Sequence, residues 1–76
     1  MENRKNEIRI QIITKKIELI NQKYRYKITL DIENSLLPYT LRYKTKDNII
    51  IKIIGFADLK DLYFYIRGIQ DILEAF

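Results

Sequence analysis

One segment of the chain constrains the fold more than any other feature. Between Tyr24 and Glu33, apolar side chains at every second position alternate without a fault with charged or hydroxyl side chains. Successive side chains of a β-strand point to opposite faces of a sheet, so this pattern predicts a half-buried strand with one apolar and one polar face. The fold is therefore expected to contain a sheet that is covered on one side.

Residues 7–20 are predicted to form an earlier strand. Residues 7–12 alternate in the same way, and their isoleucines are β-branched, which favours strands. The apolar phase changes between residues 13 and 16, which predicts a β-bulge or a sharp bend there. A helix is the competing interpretation, because four isoleucines also recur at helical spacing: Ile10, Ile13, Ile17 and Ile20. Residues 21–23 are predicted to form the hairpin loop to the next strand.

Two further strands and a helix complete the predicted fold. Residues 39–44 alternate, residues 46–48 are typical of a turn, and residues 49–54 are apolar on both faces except at Lys52. Asp58 is a favourable N-cap, because its carboxylate can accept hydrogen bonds from the first turn of a helix over 58–76. The sequence predicts one α+β domain of order ββββα: a flexible N-terminus (1–6), a four-stranded antiparallel meander with a long, bulged first strand (7–54), and one C-terminal helix.

Composition narrows the classes of function. A chain of 76 residues has room for one compact domain, and it contains no His and no Cys. The commonest metal ligand, the commonest general base and all thiol chemistry are therefore missing, so we expect no enzyme, no metal and no cofactor. No apolar run is long enough to span a membrane and no secretory signal follows the polar start, which predicts a soluble, cytoplasmic protein.

The predicted helix has two apolar rows where one would cover the sheet. The second row is predicted to be a dimer or partner interface, and it comprises Tyr65, Ile69, Ile72 and Phe76. Gly68 would allow another backbone to approach closely, and small size also favours a homodimer. The strand at 49–54 would be an apolar edge, so either the first strand closes onto it or a second subunit extends the sheet.

Charge is distributed unevenly along the chain. Residues 1–57 hold twelve Lys and Arg against six Asp and Glu, a net charge of +6, whereas residues 58–76 hold two against four, a net charge of −2. The polar face of the predicted sheet is thus expected to be basic and to bind the phosphates of nucleic acid. Its predicted contacts are Arg9, Arg25, Lys27, Arg42, Lys44 and Lys52. The alternative is a solvated basic face that only keeps the strands from aggregating.

The order of four antiparallel strands and one helix, basic on the open face, resembles the positive cofactor four, Whirly and PUR-repeat families. That resemblance covers residues 7–76 as an order of elements, matches no motif, and implies binding of single-stranded DNA or RNA, often as dimers. We therefore predict a small non-enzymatic protein that binds nucleic acid, preferably single-stranded. The alternative is a protein-interaction or inhibitor module, for example phage- or mobile-element-encoded, that acts through its helix or its strand edge.

Overall fold

The computed structural model describes residues 2–75, and its elements follow the order αβββα. They are α1 (Glu2–Tyr24), β1 (Lys27–Ile32), β2 (Tyr39–Lys44), β3 (Ile50–Phe56) and α2 (Leu59–Ala75). The sheet is an antiparallel meander in the order β1-β2-β3, so β1 and β3 are its edges. The predicted order of four strands followed by one helix is wrong, and the resemblance that rested on that order loses its basis.

Helix α1 replaces the first predicted strand and its hairpin loop, and it also takes in residues 2–6. Its buried residues are Ile13, Ile17 and Ile20, so the change of phase attributed to a bulge is the helical repeat. Strand propensity spans only about 1 kcal/mol. Burial of each isoleucine contributes about 1.5–3 kcal/mol. Burial of the helical row of isoleucines therefore outweighs the preference of these residues for a strand.

The end of α1 is fixed to the start of β1 by two features. Arg25 follows the helix with φ 60, and a residue in this left-handed conformation ends a helix. Within the last turn, the side-chain amide of Asn21 donates to the carbonyl of Ile28 and accepts from its N–H, both at 2.9 Å. Asn21 thus takes the place of a neighbouring strand at the outer edge of β1.

The two helices lie side by side on one face of the sheet. Their buried residues form a single core with two strand residues, and that core comprises Ile13, Ile17, Ile20, Ile28, Leu41, Leu59, Leu62 and Ile66. The predicted N-cap of α2 is confirmed, because Asp58 Oδ1 accepts from the N–H of Asp61 at 2.9 Å. At the margin of the core, the hydroxyl oxygens of Tyr43 and Tyr65 are 2.7 Å apart. Burial of the Tyr43 hydroxyl is the main cause of its raised pKa, and the hydrogen bond to Tyr65 is the second cause.

The strand register decides which residues face the helices. Tyr43 lies opposite both Ile28 and Lys52, which places Lys52, Ile54 and Phe56 on the helix-covered side of β3. Ile53 lies opposite Arg42 on the open face, the reverse of the phase expected for this strand. A run that is apolar on both faces carries no phase of its own, and a register irregularity between Tyr43 and Lys44 shifts the pairing by one residue.

Candidate nucleic-acid interface

The open face of the sheet carries three of the six cations predicted to contact phosphates. Lys27 and Lys44 lie opposite each other at one end of β1 and β2, and Arg42 lies opposite Thr29 in the next row of that face. Period-2 geometry brought these three side chains together as the sequence predicted. Arg9, Arg25 and Lys52 lie elsewhere, so the six cations do not form one continuous patch.

Arg42 is occupied by two carboxylates of β1 and the residue after it. Its guanidinium pairs with Asp31, and its Nη2 atom is 2.7 Å from Glu33 Oε1. These hydrogen bonds, first to Glu33 and then to Asp31, raise the pKa of Arg42. Arg42 and its two carboxylates together carry a net charge of −1, so Arg42 is a weak candidate for a phosphate contact.

Positive charge is concentrated instead at the end of the sheet where β1 begins and the β2–β3 hairpin turns. We call this the basic end, and it comprises Arg25, Lys27, Lys44, Lys46 and Lys52. The hairpin also contains one carboxylate, that of Asp47. Four of the six predicted phosphate contacts lie at the basic end. Lys46 was not among the predicted contacts, although its position in the turn that follows Lys44 could have indicated it.

Local geometry holds the hairpin against the start of β1. The N–H of Asn48 donates to the carbonyl of Thr45 at 3.0 Å, and Asn48 has φ 64, as in a three-residue turn that ends in a left-handed residue. Lys27 Nζ donates to the carbonyl of Lys46 at 2.9 Å and to Asn48 Oδ1 at 3.2 Å. One cation of the basic end thus positions the turn that carries another.

The basic end also offers exposed surface on which a base can lie. Tyr26, between Arg25 and Lys27, is 46% exposed, although the alternation placed it with the core. Ile50 lies opposite Lys44 at the start of β3 and is exposed as well. Cations beside exposed aromatic and apolar side chains are typical of surfaces that bind single strands, because phosphates and bases are both engaged.

Two of the predicted cations, Lys52 of the basic end and Arg9, are in different surroundings from those on the open face. The ammonium of Lys52 lies 5.6 Å from the ring centre of Tyr43, so this lysine reaches solvent past the margin of the helix-covered side. Arg9 lies on α1 and lines a groove between the helices with Ile12, Leu59, Lys60, Tyr63 and Phe64. Arg9 is thus separated from the sheet cations.

The predicted apolar row of α2 is divided by the structure. Tyr65 and Ile69 pack against the core, and the Tyr65 ring is 5.2 Å from that of Phe56. Ile72 is exposed, and Phe76 lies outside the described residues. Gly68 has open space around it within 4 Å of where a Cβ atom would stand. An interface role for this row stays a prediction.

Across residues 2–75, no helix is long and apolar enough to cross a membrane. The same residues contain no group of three or more acidic side chains placed to hold a metal ion. No protein-family model matches the chain, and neither a curated protein nor a solved structure is significantly similar to it.

Proposed function

We propose that this protein is a non-enzymatic nucleic-acid-binding protein that prefers single strands and engages them at the basic end of its sheet. The observation that carries the proposal is the grouping of Arg25, Lys27, Lys44, Lys46 and Lys52 at one end with a single carboxylate among them. Such a cluster attracts phosphates whatever the base sequence, because the counterions of the nucleic acid are released when cations replace them. The cytoplasm is the proposed setting.

The preference for single strands rests on the exposed ring of Tyr26. An exposed aromatic ring stabilises an unpaired base by about 1–3 kcal/mol through stacking. In a duplex the base faces are already stacked, so Tyr26 would add little. The acidic residues of the last turns of α2, Asp71 and Glu74, lie on the helix layer, so a nucleic acid is expected to reach Lys27 and Lys44 from the open face, whereas Lys52 contacts it at the margin of the helix-covered side.

The test is fluorescence anisotropy with labelled single- and double-stranded oligonucleotides at several salt concentrations. Lys46→Glu and Lys60→Glu form a matched pair, because both replace an exposed lysine and change the net charge equally, but only Lys46 is at the basic end. Lys46→Glu should weaken binding to all sequences and reduce the slope of log K against log salt by about 0.7 for a lost single-strand contact. Lys60→Glu should have a much smaller effect.

Equal losses in the two variants would mean that net charge alone attracts the oligonucleotide, and the assignment to the basic end would fail. A well-folded wild-type protein that binds no oligonucleotide at low salt would contradict the function itself. Tyr26→Ser should reduce single-strand affinity while leaving duplex affinity nearly unchanged. Equal loss for both would remove the stacking argument.

A protein-interaction or inhibitor module is the second candidate. The observation that favours it is the exposed apolar surface of the helix layer, where Phe64 is 54% exposed and Ile8, Ile12 and Ile72 are also exposed. Arg9 and Lys60 line the groove beside Phe64, so an apolar partner segment that carries carboxylates would match it. Binding of such a partner should be lost in Phe64→Ser and should not change in Lys46→Glu.

A further inference from the structure

The two edges of the sheet differ in a way that bears on self-association. At β1, Asn21 occupies both the N–H and the carbonyl of Ile28, so the outer edge is blocked there. Apart from the ladder to β2, no residue among those whose side chains the structure describes, 4–75, donates to or accepts from the backbone of Ile50–Phe56. The outer edge of β3 is therefore open to a further strand.

The side chains of this open edge are almost all apolar. Ile50, Ile51 and Ile53 are 46%, 67% and 58% exposed, and Lys52 is the one charged residue of the strand. Natural edge strands are usually protected by charge, proline or a covering segment. The β3 edge has one lysine and no proline, so it has the properties of a strand that is paired when the protein is assembled.

We infer that β3 pairs antiparallel with β3 of a second copy, around a two-fold axis at Ile53, to form a continuous six-stranded sheet. The dimer is inferred from the β3 edge alone and does not rest on the proposed nucleic-acid binding. Closed two-fold dimers are the commonest protein assemblies, and a strand edge pairs with itself without any change of shape. Burial of the exposed isoleucines, each contributing a part of the 1.5–3 kcal/mol of a fully buried side chain, stabilises the dimer.

Symmetry and charge together determine the register. An antiparallel edge pair needs a two-fold axis perpendicular to the sheet, so one residue of β3 must lie opposite its own copy, and the paired side chains share a face. An axis at Lys52 would place two ammonium groups opposite each other, which destabilises a strand pair. An axis at Ile53, the middle residue of Ile50–Phe56, pairs the full length of the strand and places Lys52 opposite the Ile54 of the second copy.

This register also suits the chemistry of its pairs. Ile53 meets Ile53 on the open face, where it is now exposed. The aliphatic stem of Lys52 can lie along Ile54 of the second copy while its ammonium stays in water. The interface is small for a protein dimer, so a dissociation constant in the micromolar range is expected.

A single cysteine tests the register, because the chain has none of its own. Directly opposed residues of antiparallel strands have Cα atoms about 4.5–5.5 Å apart, within the range of a disulfide. Under mild oxidation, Ile53→Cys should therefore give a covalent dimer on a non-reducing gel. Ile50→Cys is the matched control: it is exposed on the same strand, but its two copies would lie about 20 Å apart at 3.4 Å per residue.

The mass in solution tests the dimer itself. Sedimentation equilibrium over a range of concentrations should give a monomer–dimer equilibrium for the wild-type protein, and Ile53→Lys should raise the dissociation constant about tenfold or more, by opposing two charges. The circular dichroism spectrum of Ile53→Lys should be unchanged, because the side chain is exposed in the monomer. The cysteine experiment remains decisive if that variant fails to fold.

Three results would overturn the inference. One is a wild-type protein that stays monomeric up to its solubility limit. Another is a dimer that survives Ile53→Lys and is lost in Phe64→Ser, which would place the interface on the helix layer. The third is equally efficient cross-linking of Ile50→Cys and Ile53→Cys, or a mass that grows beyond the dimer, since either would show pairing without a fixed register.

Discussion

Replacement of Asn21 by alanine should destabilise the protein, because the Asn21 amide is hydrogen-bonded to both backbone groups of Ile28. The residue Ile28 is 2% exposed, so its N–H and carbonyl would lose their partners where water has poor access. An unsatisfied buried group costs about 1–3 kcal/mol, so the two together cost about 2–6 kcal/mol. The better helix propensity of alanine returns at most about 0.7 kcal/mol.

The assay is urea unfolding followed by circular dichroism, with Gln22→Ala as the control. Gln22 is the next residue of α1 and is exposed, so its replacement changes helix propensity without removing a bond to β1. Gln22→Ala should stay within about 0.5 kcal/mol of the wild-type protein, as surface substitutions usually do. Asn21→Asp keeps the shape and the acceptor but loses the donor, so it should also be destabilised, which separates hydrogen bonding from packing.

The reasoning would be refuted by an Asn21→Ala variant that unfolds within 0.5 kcal/mol of Gln22→Ala, as a rough threshold set by the scatter of surface substitutions. That result would mean that water satisfies Ile28 and that the amide is not needed to close the β1 edge. For a domain of this size, a loss of 1 kcal/mol lowers the melting temperature by about 4–8 °C, so the expected change is easily measured.

Three further substitutions test the packing. Gly68→Ala should stabilise the protein by about 0.5–1 kcal/mol, because a Cβ atom there has open space, and it should leave the dimer constant unchanged; a weaker dimer would instead support an interface on α2. Gly55→Ala should destabilise it, since the new Cβ atom would lie 2.9 Å from Leu37 Cβ, and equal stability would show that the loop moves freely. The pKa of Tyr43 is raised in the folded protein, so this tyrosine ionises at a lower pH in the unfolded chain than in the folded one. The contribution of neutral Tyr43 to stability is therefore complete below about pH 10 and is lost as the pH rises further. The free energy of unfolding, measured from neutral to alkaline pH, should therefore fall less steeply for Tyr43→Phe than for the wild-type protein. Identical slopes would contradict a raised pKa of Tyr43 in the folded state.

The strands of the hairpin meander could be predicted because their alternation is local. Residues 39–44 alternate, and the turn at 46–48 has the residues that its geometry needs, so β2 and the start of β3 follow from short-range rules. The N-cap at Asp58 follows from the same kind of rule. Each of these features depends on neighbours within a few residues.

Residues 7–20 could not be assigned in that way, because two periods coexist there. Ile8, Ile10 and Ile12 fit a strand, whereas Ile13, Ile17 and Ile20 fit a helix, and the choice depends on what is available to cover each stripe. The sheet and α2 bury the second set and leave Ile8 and Ile12 exposed. The prediction of a loop at residues 21–23 is wrong for a related reason, since Asn is common in turns but its side chain can also satisfy the exposed backbone of a strand, as Asn21 does at Ile28.

The candidate site was predictable as a set of charges and not as a surface. Alternation correctly joined Lys27 to Lys44, but it could not indicate that Arg42 would be neutralised by Asp31 and Glu33, because a diagonal pair across strands depends on register. Register is a tertiary property for β3 as well, where the apolar run Ile49–Ile54 carries no phase. The part of the site that depends on it could therefore be found only from the structure.

If the β3 dimer forms and the basic end binds nucleic acid, a variant that adds a positive charge should nevertheless weaken the binding of a long oligonucleotide. A two-fold axis at Ile53, which lies opposite Arg42, keeps both open faces on the same side and separates the two Lys44 residues by roughly 20 Å, at 3.4 Å per residue and 4.8 Å per strand. An oligonucleotide of about 16 nucleotides, at the upper end of known single-strand site sizes, can reach both basic ends, whereas one of about 4 nucleotides cannot. Ile53→Lys adds a positive charge, which alone would strengthen binding to either. If the dimer presents both basic ends to one strand, this variant should bind the long oligonucleotide more weakly and the short one equally or more tightly, because only the long one gains from two linked contacts. Anisotropy titrations of both lengths measure this, and a parallel increase for both would show that each protomer binds alone.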